Sequence, residues 1–201
     1  MNTKVIGITG SIGSGKTTAA KYIESLGHKV IFTDELAKDI MANDKVVRAN
    51  IIEAFGSDSY IDNKINTEYL AVKVFGDSEE NIANMDKLNS FVHPIVIDKM
   101  IELTEIYEEE GLEFVFIESA LIFELDLEEG FDYVITVNSP PEQCIDRIMA
   151  RNSLTKEVAE KRLISQMSPE QKRGLADFVI DNKGTIEELY KATDLILLFL
   201  I

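Results

Sequence analysis

Gly10-Ser11-Ile12-Gly13-Ser14-Gly15-Lys16-Thr17 satisfies the pattern G-x-x-x-x-G-K-[ST] at every fixed position. Glycines at this spacing let the backbone curl until several N–H groups converge on phosphate oxygens. The positive end of the helix that follows adds to the attraction. Such a loop grips the phosphates of a nucleotide through Gly10, Ser11, Ile12, Gly13, Ser14, Gly15, Lys16, Thr17 and Thr18. Lys16 is expected to reach the β- and γ-phosphates and the Thr17 hydroxyl to hold Mg²⁺. The motif stands directly after the apolar stretch Val5–Thr9 and opens the helix-forming run Thr18-Ala19-Ala20-Lys21-Tyr22-Ile23, which is the context it needs.

Other groups could act on that phosphate. Asp34 ends a second apolar run, where ligands of open α/β sheets sit. It is placed to accept a proton from an acceptor hydroxyl, and it could also cap a helix starting at Glu35. Phe114-Val115-Phe116-Ile117 ends in Glu118, a carboxylate in reach of the magnesium shell, through water. Residues 98–132 hold 13 acids and one base, whereas residues 147–173 hold seven bases and three acids. That second segment offers a positive surface for a polyphosphate. Arg147 and Arg151 lie at i and i+4 on one helix face ahead of the turn-like Asn152-Ser153-Leu154-Thr155, as in a lid closing over a nucleotide. Asn182-Lys183-Gly184-Thr185 has the Asn-Lys of a guanine-specificity motif but Thr where its Asp belongs, and it is set aside.

These residues must be positioned by a fold that the rest of the chain describes. The 201 residues suit one domain with a sizeable insertion. Val5–Thr9, Lys29–Thr33, Phe114–Ser119, Tyr133–Val137 and Phe178–Ile180 read as strands buried on both faces, with helical spacing between them. The pattern predicts an α/β fold, a five-stranded parallel sheet flanked by helices. The insertion, about 35–112, reads as all-helical, with Ile95, Ile97, Met100, Leu103 and Ile106 at helical spacing and Gly111 as the stop; the lid covers about 147–173. In the last helix Ile186, Leu189, Tyr190, Ile196, Leu197 and Leu200 share a face, and Leu195, Leu198, Phe199 and Ile201 widen it toward the core or an oligomer contact.

Composition narrows the functions further. A formal net charge of −16 argues against general binding to nucleic acid. Cys144 is the single cysteine, which points to a reducing compartment. No apolar run approaches a membrane span, and Val5–Thr9 is too short for a signal peptide. A cytoplasmic protein, monomer or small homo-oligomer, is expected.

With these parts in place the chain resembles the dephospho-coenzyme A kinase family from Val5 to about Thr185. The resemblance is carried by the phosphate loop, by Leu26-Gly27 through Asp34 and Ala37, by Val74-Phe75 and Leu88 leading to His93-Pro94-Ile95, and by Leu121-Ile122-Phe123-Glu124. It continues through Pro141-Glu142-Gln143, Arg147, Arg151, Arg162, Gln166-Met167 and Lys172-Arg173 to Ala176-Asp177-Phe178-Val179-Ile180-Asp181-Asn182-Lys183-Gly184. The resemblance implies a three-layer P-loop kinase fold and transfer of the ATP γ-phosphoryl to the ribose 3′-hydroxyl of dephospho-CoA, the last step of coenzyme A synthesis. It implies Asp34 as general base, Lys16, Arg147 and Arg151 as catalytic partners, and His93 and Leu121 in the acceptor site; the other reading of His93 is a packed core histidine ahead of a turn at Pro94. The chain departs from the family pattern at Phe32, Thr67, Ala120 and Leu175. A P-loop kinase for another small hydroxyl acceptor (nucleoside, shikimate or gluconate type) and a nucleotide-binding regulator without catalysis are the alternatives.

Overall fold

A computed structural model of the chain describes residues 3–76, 78–152 and 154–200. Ser153, in the expected lid tip, and Ile201, in the expected apolar tail, lie outside the described residues. Chain contacts separate two compact units, one built from the chain up to Phe32 and from Ile106 onward, the other from Thr33–Glu105. In chain order the elements begin with β1 (Lys4–Thr9), α1 (Lys16–Ser25) and β2 (Lys29–Phe32). Next come α2 (Thr33–Asn43), α3 (Lys45–Phe55), β3 (Tyr60–Ile61), β4 (Lys64–Ile65), α4 (Thr67–Val74) and α5 (Glu79–Glu109). The chain closes with β5 (Phe114–Glu118), β6 (Tyr133–Asn138), α6 (Pro141–Asn152), α7 (Lys156–Ile164), α8 (Pro169–Leu175), β7 (Phe178–Asp181) and α9 (Ile186–Leu200).

In the first unit the five expected strands form one parallel sheet in the order β2-β5-β1-β6-β7. Lys4 pairs with Phe114 and Ile8 with Glu118, so the carboxyl ends of β1 and β5 finish level beneath the phosphate loop. Their apolar residues are buried because helices cover the sheet. Ile6, Ile8, Phe116, Ile135 and Val137 pack with Ala19, Ala20 and Ile23 of α1 and with Leu189, Ile196, Leu197 and Leu200 of α9. Ile122, Phe123 and Val134 form a second cluster with Phe131, Met167 and Ala176. α9 buries Leu189, Thr193, Ile196, Leu197 and Leu200, a narrower stripe than expected. Ile186, Leu195, Leu198 and Phe199 are exposed.

Three local expectations are corrected. β2 stops at Phe32 and α2 opens at Thr33, so Asp34 lies in the first helical turn with Glu35 rather than at a cap. Two carboxylates there suit the positive helix end.

The second unit is not all-helical: β3 and β4 form an antiparallel hairpin. Its two-residue turn is Asp62-Asn63, both at positive φ (49° and 63°), residues that tolerate this conformation. Finally, Pro94 follows His93 inside a helix, not at a turn. The missing amide is tolerated because Val92, Val96 and Met100, spaced four apart, are buried on either side of it.

Candidate phosphoryl-transfer site

The loop between β1 and α1 is shaped by close backbone approaches. Gly10, Gly13 and Gly15 have φ of 144°, 79° and 100°. A Cβ at Gly10 would stand 2.3 Å from the Val137 carbonyl oxygen, and one at Gly13 would stand 2.6 Å from that of Cys144. The loop therefore lies directly on β6 and α6, and only glycine fits there.

Its carbonyls are held from behind. Arg147 Nη1 donates to the carbonyls of Gly13 at 3.0 Å and Ser14 at 3.4 Å, and to Ser139 Oγ at 3.1 Å. Arg147 Nη2 donates to Gln143 Oε1 at 3.2 Å. Asn182 Nδ2 donates to the Ser14 carbonyl at 2.7 Å, while Ser139 Oγ donates to the Asn182 carbonyl at 2.8 Å. A peptide plane whose carbonyl is turned one way presents its N–H the other way. The Gly15 amide, in the same peptide as the Ser14 carbonyl, thus faces away from Asn182. Among the described residues the Gly13 and Gly15 amides donate to nothing. Lys16 and Thr17 contribute first-turn helix amides, which have no intrahelical partner. No side chain caps α1. Ser14 Oγ is buried with no hydrogen-bond partner among the described residues. Unspent donors around a helix N-terminus fit a phosphate chain.

Lys16, Thr17 and Glu118 meet at the level ends of β1 and β5. Thr17 Oγ1 donates to Glu118 Oε1 at 3.1 Å, and Lys16 Nζ stands 3.8 Å from the same oxygen. Glu118 is 2% exposed and Lys16 8%. A hydroxyl beside a buried carboxylate is the hard-oxygen donor set that Mg²⁺ takes, with the remaining positions left to phosphate and water. Among the described residues no group of three or more His, Cys, Asp or Glu could hold a metal unaided.

The other expected site residues are distributed as follows. Arg151, exposed in the last turn of α6, lines an open cavity of about 390 Å³ with Thr17, Thr18, Lys21, Tyr22, Ser25 and Tyr190. Tyr22 and Tyr190 stack there with centroids 4.0 Å apart. Arg147 lies on the loop's carbonyl side, separated from Arg151 in task although one turn away. Leu121 is half-buried just beyond β5. Asp34 and His93 belong to the second unit, Asp34 exposed at the start of α2 and His93 half-buried in α5. Burial holds the His93 imidazole below the ordinary histidine range.

The positive surface expected over 147–173 is partly spent on protein partners. Lys172 is 1% exposed. Its ammonium reaches Glu124 Oε1 at 2.8 Å and Oε2 at 3.0 Å and donates to the Ala120 carbonyl at 2.6 Å. Burial lowers its pKa against the opposing pull of Glu124. Arg173 pairs with Asp181 at 2.9 Å. Sequence reasoning set Asn182 aside as a failed guanine motif, yet its amide anchors the loop. Its signal was the Asp-Asn pair at the end of a strand, at the sheet edge that faces ligands.

Comparison with known proteins supplies the family. The sequence profile described as dephospho-CoA kinase matches residues 4–188. A dephospho-CoA kinase of Salinibacter ruber is 37% identical over 185 residues, 92% of this chain and 91% of that protein. One of Fusobacterium nucleatum is 36% identical over 196 residues, 96% of this chain and 97% of its own length. Among solved structures, dephospho-CoA kinase from Campylobacter jejuni superposes with a TM-score of 0.66 at 28% identity, covering 98% of this chain and 97% of the other. Shikimate kinase from Acinetobacter baumannii shares the fold alone, with a TM-score of 0.55 at 15% identity over 98% of this chain and 93% of its own. A phosphate loop braced by Arg147 and Asn182, a Lys16–Thr17–Glu118 cluster at its mouth and a family profile that runs across nearly every element place this chain in the dephospho-CoA kinase family.

Proposed function

We propose that this chain transfers the γ-phosphoryl group of ATP to the ribose 3′-hydroxyl of dephospho-CoA, yielding coenzyme A and ADP. The observation that carries the chemistry is the contact of Thr17 with buried Glu118 beside Lys16, under a loop with unspent amides. The amides of Gly13, Gly15, Lys16 and Thr17 and the Lys16 ammonium bind the triphosphate and neutralise its charge. Mg²⁺, when bound, screens the phosphoryl oxygens. Thr17 would hold it directly, and Glu118 directly or through water.

Asp34 orients the acceptor hydroxyl and takes its proton while the acceptor oxygen bonds to the γ-phosphorus. The bond from that phosphorus to the β–γ bridging oxygen breaks, and ADP carries the electron pair away. Arg151 stabilises charge on the moving phosphoryl group. His93 and Leu121 belong to the acceptor site, and residues 147–173 act as a lid that keeps water from the γ-phosphorus. Among the described residues no helix is long and apolar enough to cross a membrane, which is compatible with a cytoplasmic enzyme.

The test is direct. The chain, ATP and Mg²⁺ are incubated with dephospho-CoA, and ADP release and the mass of the product are followed. Coenzyme A should accumulate in step with ADP. ADP release no faster than with water alone as acceptor overturns the proposal.

A further inference from the structure

One amide of the phosphate loop is not left open for a ligand. The Ile12 N–H donates to Gln166 Oε1 at 2.7 Å, across 154 positions of sequence. Gln166 lies two residues beyond α7, half-buried, and its backbone is tethered. The adjacent Met167 N–H donates to Glu124 Oε1 at 3.0 Å, and Glu124 is the partner of buried Lys172. The residue is thus fixed at both ends, by a buried ion pair next to its Cα and by Ile12 at its carboxamide.

That carboxamide can be oriented in one way only. An N–H needs an acceptor, so Oε1 must face Ile12, because the reverse placement would set donor against donor. In a planar amide Nε2 stands about 2.3 Å from Oε1, which keeps it within about 5 Å of the Ile12 nitrogen. Among the described residues Nε2 has no hydrogen-bond partner, and the Gln166 side chain makes no polar contact other than the one to Ile12. Two neutral N–H donors are therefore held at the tip of the loop. The helix end of the loop, Lys16 to Thr18, is suited to the inner phosphates by its amides and dipole. The tip is left for the outermost one.

We propose that Gln166 is a specificity-determining residue for the terminal phosphoryl group of the nucleotide: its Nε2 donates to a γ-oxygen, so the site distinguishes a triphosphate from a diphosphate. The inference rests on the ATP reading above. A neutral donor suits this role, since it recognises the γ-group without adding a charge that would also retain ADP.

Calorimetry on the full chain with Mg²⁺, using a non-hydrolysable ATP analogue and ADP in turn, tests the proposal. In Gln166→Ala the analogue should bind about ten- to hundred-fold more weakly, the loss of one hydrogen bond to a charged group, with ADP affinity unchanged. Gln166→Glu, equal in size, should lose more affinity for the analogue than for ADP, since its carboxylate opposes the γ-charge. Both variants should melt with the parent chain, because the side chain is not in the core. Equal weakening of analogue and ADP overturns the proposal and leaves Gln166 a mere brace of the loop tip; so does no weakening of either. A parent chain that binds neither nucleotide refutes the kinase reading itself, which separates the two failures.

Discussion

Replacing Asn182 with alanine should loosen the phosphate loop without touching any group that meets the nucleotide. Asn182 is 6% exposed, and its Nδ2 is the near donor to the Ser14 carbonyl at 2.7 Å. The second donor, Arg147 Nη1, is 3.4 Å away, long for a charge-assisted bond. Removing Asn182 leaves a buried carbonyl poorly satisfied, at a cost of about 1–3 kcal/mol. The Ser14–Gly15 peptide can relieve that cost by rotating, because no Cβ at Gly15 restrains it. Rotation turns the Gly15 amide out of line, and nucleotide binding must then restore it. The expected loss of affinity is about 5- to 150-fold. It should be the same for ADP and for a non-hydrolysable ATP analogue, since the Gly15 amide belongs to the inner-phosphate end. Asn182→Asp fills the same space but presents an acceptor to the Ser14 carbonyl, and it should be at least as damaging. Calorimetry with both nucleotides and a thermal melt provide the measurements. If the variants melt earlier but bind both nucleotides as the parent does, the loop keeps its shape without this anchor and the reasoning is refuted.

Three further outcomes are expected. Asp34→Asn should leave ATP affinity within a few-fold while kcat falls about 10²–10⁴-fold, the worth of a positioned base; steady-state kinetics with both substrates decides it. Lys172→Ala strands Glu124, only 18% exposed at its side chain, and should cost about 3–5 kcal/mol. Lys172→Met with Glu124→Leu should recover a large part of that stability, as denaturant titration would show. Stability should also carry a pH signature of His93. Its folded pKa lies below the ordinary 6.5 because burial disfavours the charged ring. As pH falls below 6.5 the unfolded chain binds the proton first, so stability is lost between 6.5 and the lowered folded value. The difference between melting curves of the parent and His93→Asn should show that loss; parallel curves would exclude it.

What could be read from the sequence was whatever local chemistry writes down. The phosphate loop needs glycine at three places for one backbone shape, so its pattern survives any context. The sheet was legible because strands covered on both faces lose alternation, as Phe114 to Ile117 do. The hairpin after α3 was missed because its strands are two residues each, too short for periodicity, although Asp62-Asn63 marks the turn. Pro94 misled for the opposite reason: a strong local breaker was overridden by the burial of Val92, Val96 and Met100. Arg147 and Asn182 were unreadable in detail. Their partners are backbone carbonyls of the loop, distant in sequence, and no residue type announces a carbonyl's need for a donor. Lys172 was counted as surface charge because nothing local distinguishes it from Arg173; only the fold brings Glu124 to it.

The strand order carries a consequence for how the molecule is made. β1 has β5 and β6 as neighbours, so Lys4 finds its first partner at Phe114. During synthesis, at about 5–20 residues per second, the segment that bears the phosphate loop waits seconds without a strand beside it. The loop waits longer still for Gln166 and Asn182 to emerge. A ribosome stalled between the phosphate loop and β7 therefore carries a chain with its nucleotide signature complete and its nucleotide cradle unbuilt. The ability to hold ATP therefore waits for β7 and for the Asn182 anchor that follows it.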